Sequence, residues 1–410
     1  MTEPARSPLP LHGVRVLDFT QVIAGPFCTT MLADMGAEVV KVERPGAGDS
    51  LRAIGRYKGR EHHEDYFNAN NRSKKSILLD LKAPADRDLA VELAANADVA
   101  VENFAPGNAG RLGIGYADLS ARNPALVYCS ISGFGQTGPG RTRTALDPVV
   151  QAVAGLMSVT GEAAGDPLMA GAPLADVIAG MYGAYTILAA LRTAERTGAG
   201  QYIDISMQSA LLAALGPRMG ETLQAGVSPE RHGNQNPMRA PADSFRTVDG
   251  FWLSVICHDD GQWEPLCRAV GRADWALLPD FRTNRMRSER RGELHRMFRE
   301  AFATRTLAEW ESRLEAARVP YGAVNDYAGA LADAQIAHRK QIRSVTHPVS
   351  GQIRLVGPPW HMPGVEADIR SPPLLGEHTA EVLRHWIGRD AGALDAKASA
   401  PAAINTARTK

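Results

Sequence analysis

Residues 14–43 read VRVLDFTQVIAGPFCTTMLADMGAEVVKVE. Within them VRVLDF (14–19) and EVVKVE (38–43) are short runs rich in β-branched residues, and 26–35 has the pattern of a helix. That helix opens through Gly25-Pro26. Proline suits a first helical turn, because its missing N–H would have no intrahelical partner there. Strand, helix and strand in this order make a crossover unit with parallel strands. Working outward, SILLDL (76–81), DVAVENF (98–104) and LVYCSIS (126–132) repeat the strand signal, with helical patterns at 86–96 and 111–121. The alternation predicts an α/β fold: a doubly wound parallel sheet with helices on both faces. The strand ends, and the loops after them, then share one rim.

A long helix is expected at 174–193, then a strand at 201–206 and a helix running into Leu215. The stretch 223–241 is rich in Gly, Asn and Pro and reads as a linker or mobile loop. A second, smaller unit follows, with a strand at 251–255 and helices near 263–270, 292–303 and 306–318. From Arg343 the chain turns Pro-rich and irregular, a last helix is expected near 377–387, and the Ala-rich tail 391–410 is expected to be disordered.

Composition excludes several function classes. Lys plus Arg and Asp plus Glu both count 45 in 410 residues, so no global field attracts nucleic acid or a membrane surface. Cys28, Cys129, Cys257 and Cys267 form no CxxC pair and read as buried thiols of a reducing compartment. MTEPARSPLP has no apolar signal-peptide core, and the apolar stretch 177–191 is too short to span a bilayer. A cytoplasmic protein with no nucleic-acid or membrane partner is expected. Gly133, Gly135 and Gly138 match a dinucleotide fingerprint, but Pro139-Gly140 and a polar run stand where its helix must open. No metal site is expected either: His62 and His63 are adjacent, and His232, His258 and His361 lie in loop-like contexts without ligand spacing.

The rim loops carry the chemistry. TQVIAGPF (20–27) leads into the first helix, and the second strand ends in Glu43-Arg44-Pro45. The third is bracketed by Asn71-Arg72-Ser73-Lys74-Lys75 and Lys82, and the fourth leads into Asn103-Phe104 and then Arg111. Cations gathered on one edge, with Phe104 free to stack on a planar base, suit a long, phosphorylated, partly apolar ligand. The competing account leaves each as a solvated loop residue. GAPLADVIAGMYGAYTILAAL (171–191) adds one carboxylate, Asp176, at the mouth of an otherwise uncharged helix. It is either a first-turn acid favoured by the helix dipole or a nucleophile facing a pocket.

LHGVRVLDFTQVIAGPFCTTMLADMGAEVVKVERPGAGD, NRSKKSILLDLK, VENFAPGNAGRLG, SGFGQTGPG, PLADVIAGMYGAYTILAAL, TGAGQYIDISMQSALL, GNQNPMRAP and TVDGFW resemble class III coenzyme A transferases, over roughly 11–373. That family includes formyl-CoA transferase, carnitine CoA-transferase and α-methylacyl-CoA racemase. The resemblance implies an enzyme with a Rossmann-like large domain built from both chain ends (1–222 and 336–390), a smaller α+β domain with its linker at 223–335, and an interlocked homodimer. It implies Asp176 as the nucleophile that attacks an acyl-CoA thioester, passing through an aspartyl anhydride and an aspartyl-CoA thioester before a small carboxylic acid accepts CoA. It places Val22, Ala24, Arg44, Leu79, Lys82, Asn103, Phe104 and Arg111 on CoA-binding positions. Coenzyme A and acyl-CoA are then substrates, with no tightly bound cofactor.

Departures narrow the expectation. Racemases of the family carry a His-Asp pair where this chain has Leu146-Asp147, and leucine cannot act as a base. Transfer is favoured, with an α-methylacyl-CoA racemase-type isomerase as the alternative. Ile23 stands where some formyl transferases have glutamine, which leaves room for a larger acyl group. Gly233-Asn234-Gln235-Asn236-Pro237 replaces a glycine run and suits a lid. Arg141 and Arg143 are either exposed loop charges or holders of a second carboxylate, which suggests a succinyl-CoA donor and a dicarboxylate acceptor.

Overall fold

The computed structural model describes residues 8–54 and 64–390. His62, His63 and the expected tail 391–410 lie outside the described residues. Six strands, β1 (Arg15–Asp18), β2 (Glu38–Glu43), β3 (Lys75–Leu78), β4 (Val99–Glu102), β5 (Val127–Ser132) and β6 (Tyr202–Ser206), form one sheet in the order β3-β2-β1-β4-β5-β6. Every neighbouring pair is parallel. The chain reverses its direction of travel across the sheet between β1 and β4, where doubly wound folds bind ligands.

The core explains why these runs are strands. Leu17, Val40, Ile77, Ala100 and Tyr128 from five strands pack with Leu93 of the helix Pro84–Ala94. The same core takes in Val382, Leu383 and Trp386 of the helix Thr379–Ile387, so both ends of the chain build it. The helix expected at 111–121 is two short pieces, Asn108–Arg111 and Tyr116–Ser120. Gly113, at φ +70, turns the chain out of the helical path between them.

The described chain divides into two compact units. One contains the described residues up to Gly155, Ala170–Met219 and those from Gln335 onward; the other contains Leu156–Met169 and Gly220–Ala334. The sequence expectation kept 1–222 together, whereas 156–169 pack with the smaller unit. The side chain of Arg231 explains this, donating to the carbonyls of Ser158, Glu162 and Gly165, while the Gly233 amide donates to that of Gly161. The smaller unit has an antiparallel sheet of β7 (Ala242–Arg246), β8 (Trp252–Ile256) and β9 (Tyr321–Ala323). Its core is aromatic: Phe245, Trp263, Phe298, Phe302 and Trp310. The stretch from Arg343, expected to be irregular, contains a hairpin of β10 (Ile342–His347) and β11 (Gly351–Val356). Only alternate residues of β11, Ile353 and Leu355, are buried, and Arg354 between them masks the strand signal.

The 24-residue helix Leu174–Thr197 is long and apolar enough to cross a bilayer by length and composition. Here it lies against the helix Ala24–Asp34 and β5. A Cβ at Gly180 would sit 2.7 Å from the Ala24 carbonyl oxygen, so glycine sets that close approach. The outer side of the long helix leaves Met181, Tyr182, Tyr185 and Leu188 exposed.

Candidate active site

A buried charge network shapes the loop after β1. The Asp18 carboxylate accepts from the Thr20 amide at 2.8 Å and from the Thr20 and Thr29 hydroxyls at 2.5 and 2.7 Å. Lys74 donates to it at 3.1 Å. Lys41 reaches the Thr20 carbonyl at 2.6 Å and pairs with Asp49 at 3.0 Å. Unpaired, such buried charges would be costly; as pairs with further hydrogen bonds they fix the loop's path. Burial pushes the Asp18 carboxyl upward, but Lys74 and Lys41 outweigh it and hold the group below its usual range. Burial brings Lys74 down to about 8. Asp49 also accepts from the Val22 amide at 3.2 Å, and Val22 is held at φ +66. A β-branched residue there is strained, and strain of this kind collects at ligand sites.

Eight expected ligand positions fall on or just beyond the carboxyl ends of neighbouring strands. Val22 and Ala24 follow β1, Arg44 follows β2, Leu79 and Lys82 follow β3, and Asn103 and Phe104 follow β4. Arg111 closes the short helix beyond β4, and its guanidinium donates to Asn108. Arg44 and Lys82 are exposed. Asn103 ties two loops together: its oxygen accepts from the Gln21 amide at 2.8 Å and its nitrogen donates to the Gln21 carbonyl at 2.7 Å. Leu79 is 1% exposed and packs in the sheet's core, so only its main chain can meet a ligand.

The expected convergence of Asn71-Arg72-Ser73-Lys74-Lys75 on that edge is corrected. This segment leads into β3 at the amino end of the strand, away from the rim, and its cations are engaged internally. Arg72 grips Asp34 at 2.9 and 2.5 Å, and Lys74 is committed to Asp18. Lys75 bridges Glu38 and Glu381 at 2.6 and 2.7 Å. The glycines at 133, 135 and 138 lie in the irregular segment after β5, and no helix opens until Asp147. All four cysteines are free and buried.

Asp176 lies in the first turn of the helix Leu174–Thr197. The capping that its position suggested is performed by another acid, Asp147. Asp147 Oδ1 accepts from the Ala175 and Asp176 amides at 2.7 and 3.2 Å. Its Oδ2 accepts from Gln151 Nε2 at 2.6 Å, and Gln151 Oε1 accepts from the Ala170 amide at 2.9 Å. The Asp176 carboxyl is thereby left half-buried, without a cation or donor on it among the described residues. Burial, with the Asp147 charge added, raises it to about 7. It lies four residues before Gly180, on the helix face that touches Ala24 at the loop described above. An ionisable acid, relieved of a structural task and set beside a strained loop, is equipped for nucleophilic work.

Sequence reasoning noted Asp147 only as the neighbour of Leu146 and missed its capping role, and it missed Gln151 and Asp49. Asp147-Pro148 does signal a helix start, but nothing local shows that Asp147 caps a different helix 27 residues further on. Leu146 is 66% exposed beside that cap. Arg143 stacks on Phe134 with 4.5 Å from guanidinium carbon to ring centre, and Arg141 is exposed.

Comparison with known proteins gives one consistent picture. The profile of CoA-transferase family III matches residues 11–379. The succinyl-CoA:glutarate CoA-transferase of Mus musculus is 37% identical over 94% of this chain and 88% of its own. The succinyl-CoA:mesaconate CoA-transferase of Haloarcula hispanica is 38% identical over 91% and 95%. A CAIB/BAIF family protein from Brucella suis has a crystal structure that superposes with a TM-score of 0.84 at 32% identity, covering 93% of this chain and 100% of that one.

Proposed function

The chain belongs to CoA-transferase family III and is a CoA-transferase, and from that premise we propose that Asp176 carries the acyl and CoA groups in turn. The observation that supports this most is the freed Asp176 carboxylate, whose helix amides Asp147 already satisfies. In the first step its oxygen attacks the thioester carbonyl carbon, the C–S bond breaks, and CoA leaves as the thiolate. The product is a mixed aspartyl anhydride. The thiolate then attacks the aspartyl carbonyl, releases the donor acid as its carboxylate and leaves an aspartyl-CoA thioester. An acceptor carboxylate repeats both steps in reverse order, departing as its CoA thioester and restoring Asp176. Two easier exchanges replace one difficult one.

Val22, Ala24, Arg44, Lys82, Asn103, Phe104 and Arg111 are the proposed CoA contacts, with Leu79 contributing main chain. Arg44, Lys82 and Arg111 provide positive charge for phosphates, and Phe104 a face for the base. The donor we propose is succinyl-CoA and the acceptor a small dicarboxylic acid, in keeping with the glutarate and mesaconate in the relatives' names. The racemase alternative finds no support: Leu146 offers no base, and Asp147 is engaged at the helix cap. We also propose a homodimer in the cytoplasm. The exposed Met181, Tyr182, Tyr185 and Leu188 suit a subunit contact, and four unpaired buried thiols suit a reducing compartment.

The test is mass spectrometry of the protein mixed with succinyl-CoA and no acceptor, followed by peptide mapping. A succinyl or CoA adduct on the peptide bearing Asp176 is expected. Thioester exchange that proceeds in the Asp176→Ala variant would overturn the assignment.

A further inference from the structure

The smaller unit holds a cavity of about 390 Å3 whose wall includes His232, Gln235, Arg246, Trp252, His295 and Arg299. That volume lies in the range of ordinary small-ligand pockets, roughly 300–1,000 Å3. Its floor is built rather than incidental. His295 Nδ1 meets Asp243 Oδ2 at 2.5 Å, and Asp243 is buried and also accepts from the Ser244 amide at 2.7 Å. The pairing fixes the imidazole, which lies against Phe245 at 5.6 Å between ring centres. Arg299 follows His295 by one helical turn on the helix Arg291–Phe302, so the two share a face. Arg246 sits directly across from Trp252 in the β7–β8 register.

Charge selects the ligand class. Arg246 and Arg299 are exposed and make no ion pair with any described residue. Against them stand the Asp243 carboxylate, which is hydrogen-bonded to His295, and Glu162. Two guanidiniums with donors unspent, joined by the amide NH2 groups of Asn234 and Gln235, offer hydrogen bonds that carboxylates accept and cations do not.

We propose that this cavity binds a small dicarboxylate, with Arg246 and Arg299 as the groups that take its carboxylate charge. The ligand class rests on the dicarboxylate acceptor proposed above; the site itself rests on the cavity.

Glutarate is the probe and pentanoate its one-carboxylate control. In calorimetric titrations of the full-length Asp176→Ala protein, glutarate is expected to bind at least tenfold more weakly once Arg246→Ala and Arg299→Ala are added, with pentanoate unaffected. Equal glutarate affinity in the two proteins would overturn the proposal, whatever the chemistry at Asp176. In the otherwise unaltered protein, the same two changes should leave adduct formation from succinyl-CoA intact. Failure of adduct formation before any Arg is changed would count against the Asp176 assignment alone. Because both arginines are exposed and free of internal ion pairs, the variants should melt with the parent.

Discussion

At the scale of single residues, the feature on which the proposed chemistry rests is the division of roles between two acids that lie together. Asp147 does the capping, so Asp176 is spared it, and the charge of the first raises the second. Burial and Asp147 together bring Asp176 from an ordinary 3.8 to about 7. Adduct formation in the enzyme without acceptor should therefore rise with pH through about 7. Asp147→Asn keeps an oxygen for the two amides but removes the charge, so the midpoint of that profile should move to lower pH. A midpoint that stays put would show Asp147 to be structural only. The same shift makes a statement about stability. Between about pH 4 and 7 the folded chain retains a proton that the unfolded chain has released, so this group's contribution falls as pH rises and levels off above 7. Asp176→Asn lacks that loss. It should melt above the wild type at pH 8, with the gap closing as the pH is lowered to 4.

At the scale of elements, Val22 and Gly180 set the local geometry. A left-handed backbone costs an L-residue roughly 1–2 kcal/mol, offset in a Val22→Gly variant by roughly 0.5–1 kcal/mol of lost chain entropy. Denaturant unfolding should show that variant equal in stability or slightly more stable, while CoA binds it less tightly because the loop is no longer held in place. Gly180→Ala brings a methyl against a backbone oxygen that has no room to yield, for a cost of about 1–3 kcal/mol, and should lower turnover by displacing Asp176 from the loop. Elements of this kind were unequally legible. Five of the six parallel strands show themselves because both faces are buried and each carries a run of aliphatic or β-branched residues. β10 and β11 do not, since only one face is covered and Arg343 and Arg354 interrupt the run. The basic run 71–75 misled for a different reason. Local sequence shows its charges but not Asp34, Asp18 and Glu381, which neutralise them from distant parts of the chain. The Asp176 site was legible as a carboxylate at a helix start; its partner Asp147, a long-range contact, was not.

At the scale of the whole molecule, the sheet depends on residues from opposite ends of the chain. Trp386 is buried in the core of the sheet and donates to Glu38 at 3.1 Å, so Trp386→Ala should cost about 3–5 kcal/mol and be seen as a lower unfolding midpoint. The apolar row Met181, Tyr182, Tyr185 and Leu188 belongs to this scale too. Tyr185→Arg should shift the sedimentation coefficient toward that of a single chain, and an unchanged value would argue against this row as the contact. The discontinuity of the larger unit also has a consequence during synthesis. β6 ends at Ser206, yet the helix that covers part of the sheet begins at Thr379, about 170 residues later. At 5–20 residues per second the ribosome needs roughly 10–35 s to supply it. Through that interval the nascent chain displays Ile77, Leu79 and their neighbours without their lid, while most of the smaller unit, continuous from Gly220, emerges in one piece and is ready to fold first. Chaperone dependence should therefore concentrate in the larger unit, and early stop codons should yield aggregates rather than a soluble amino-terminal domain.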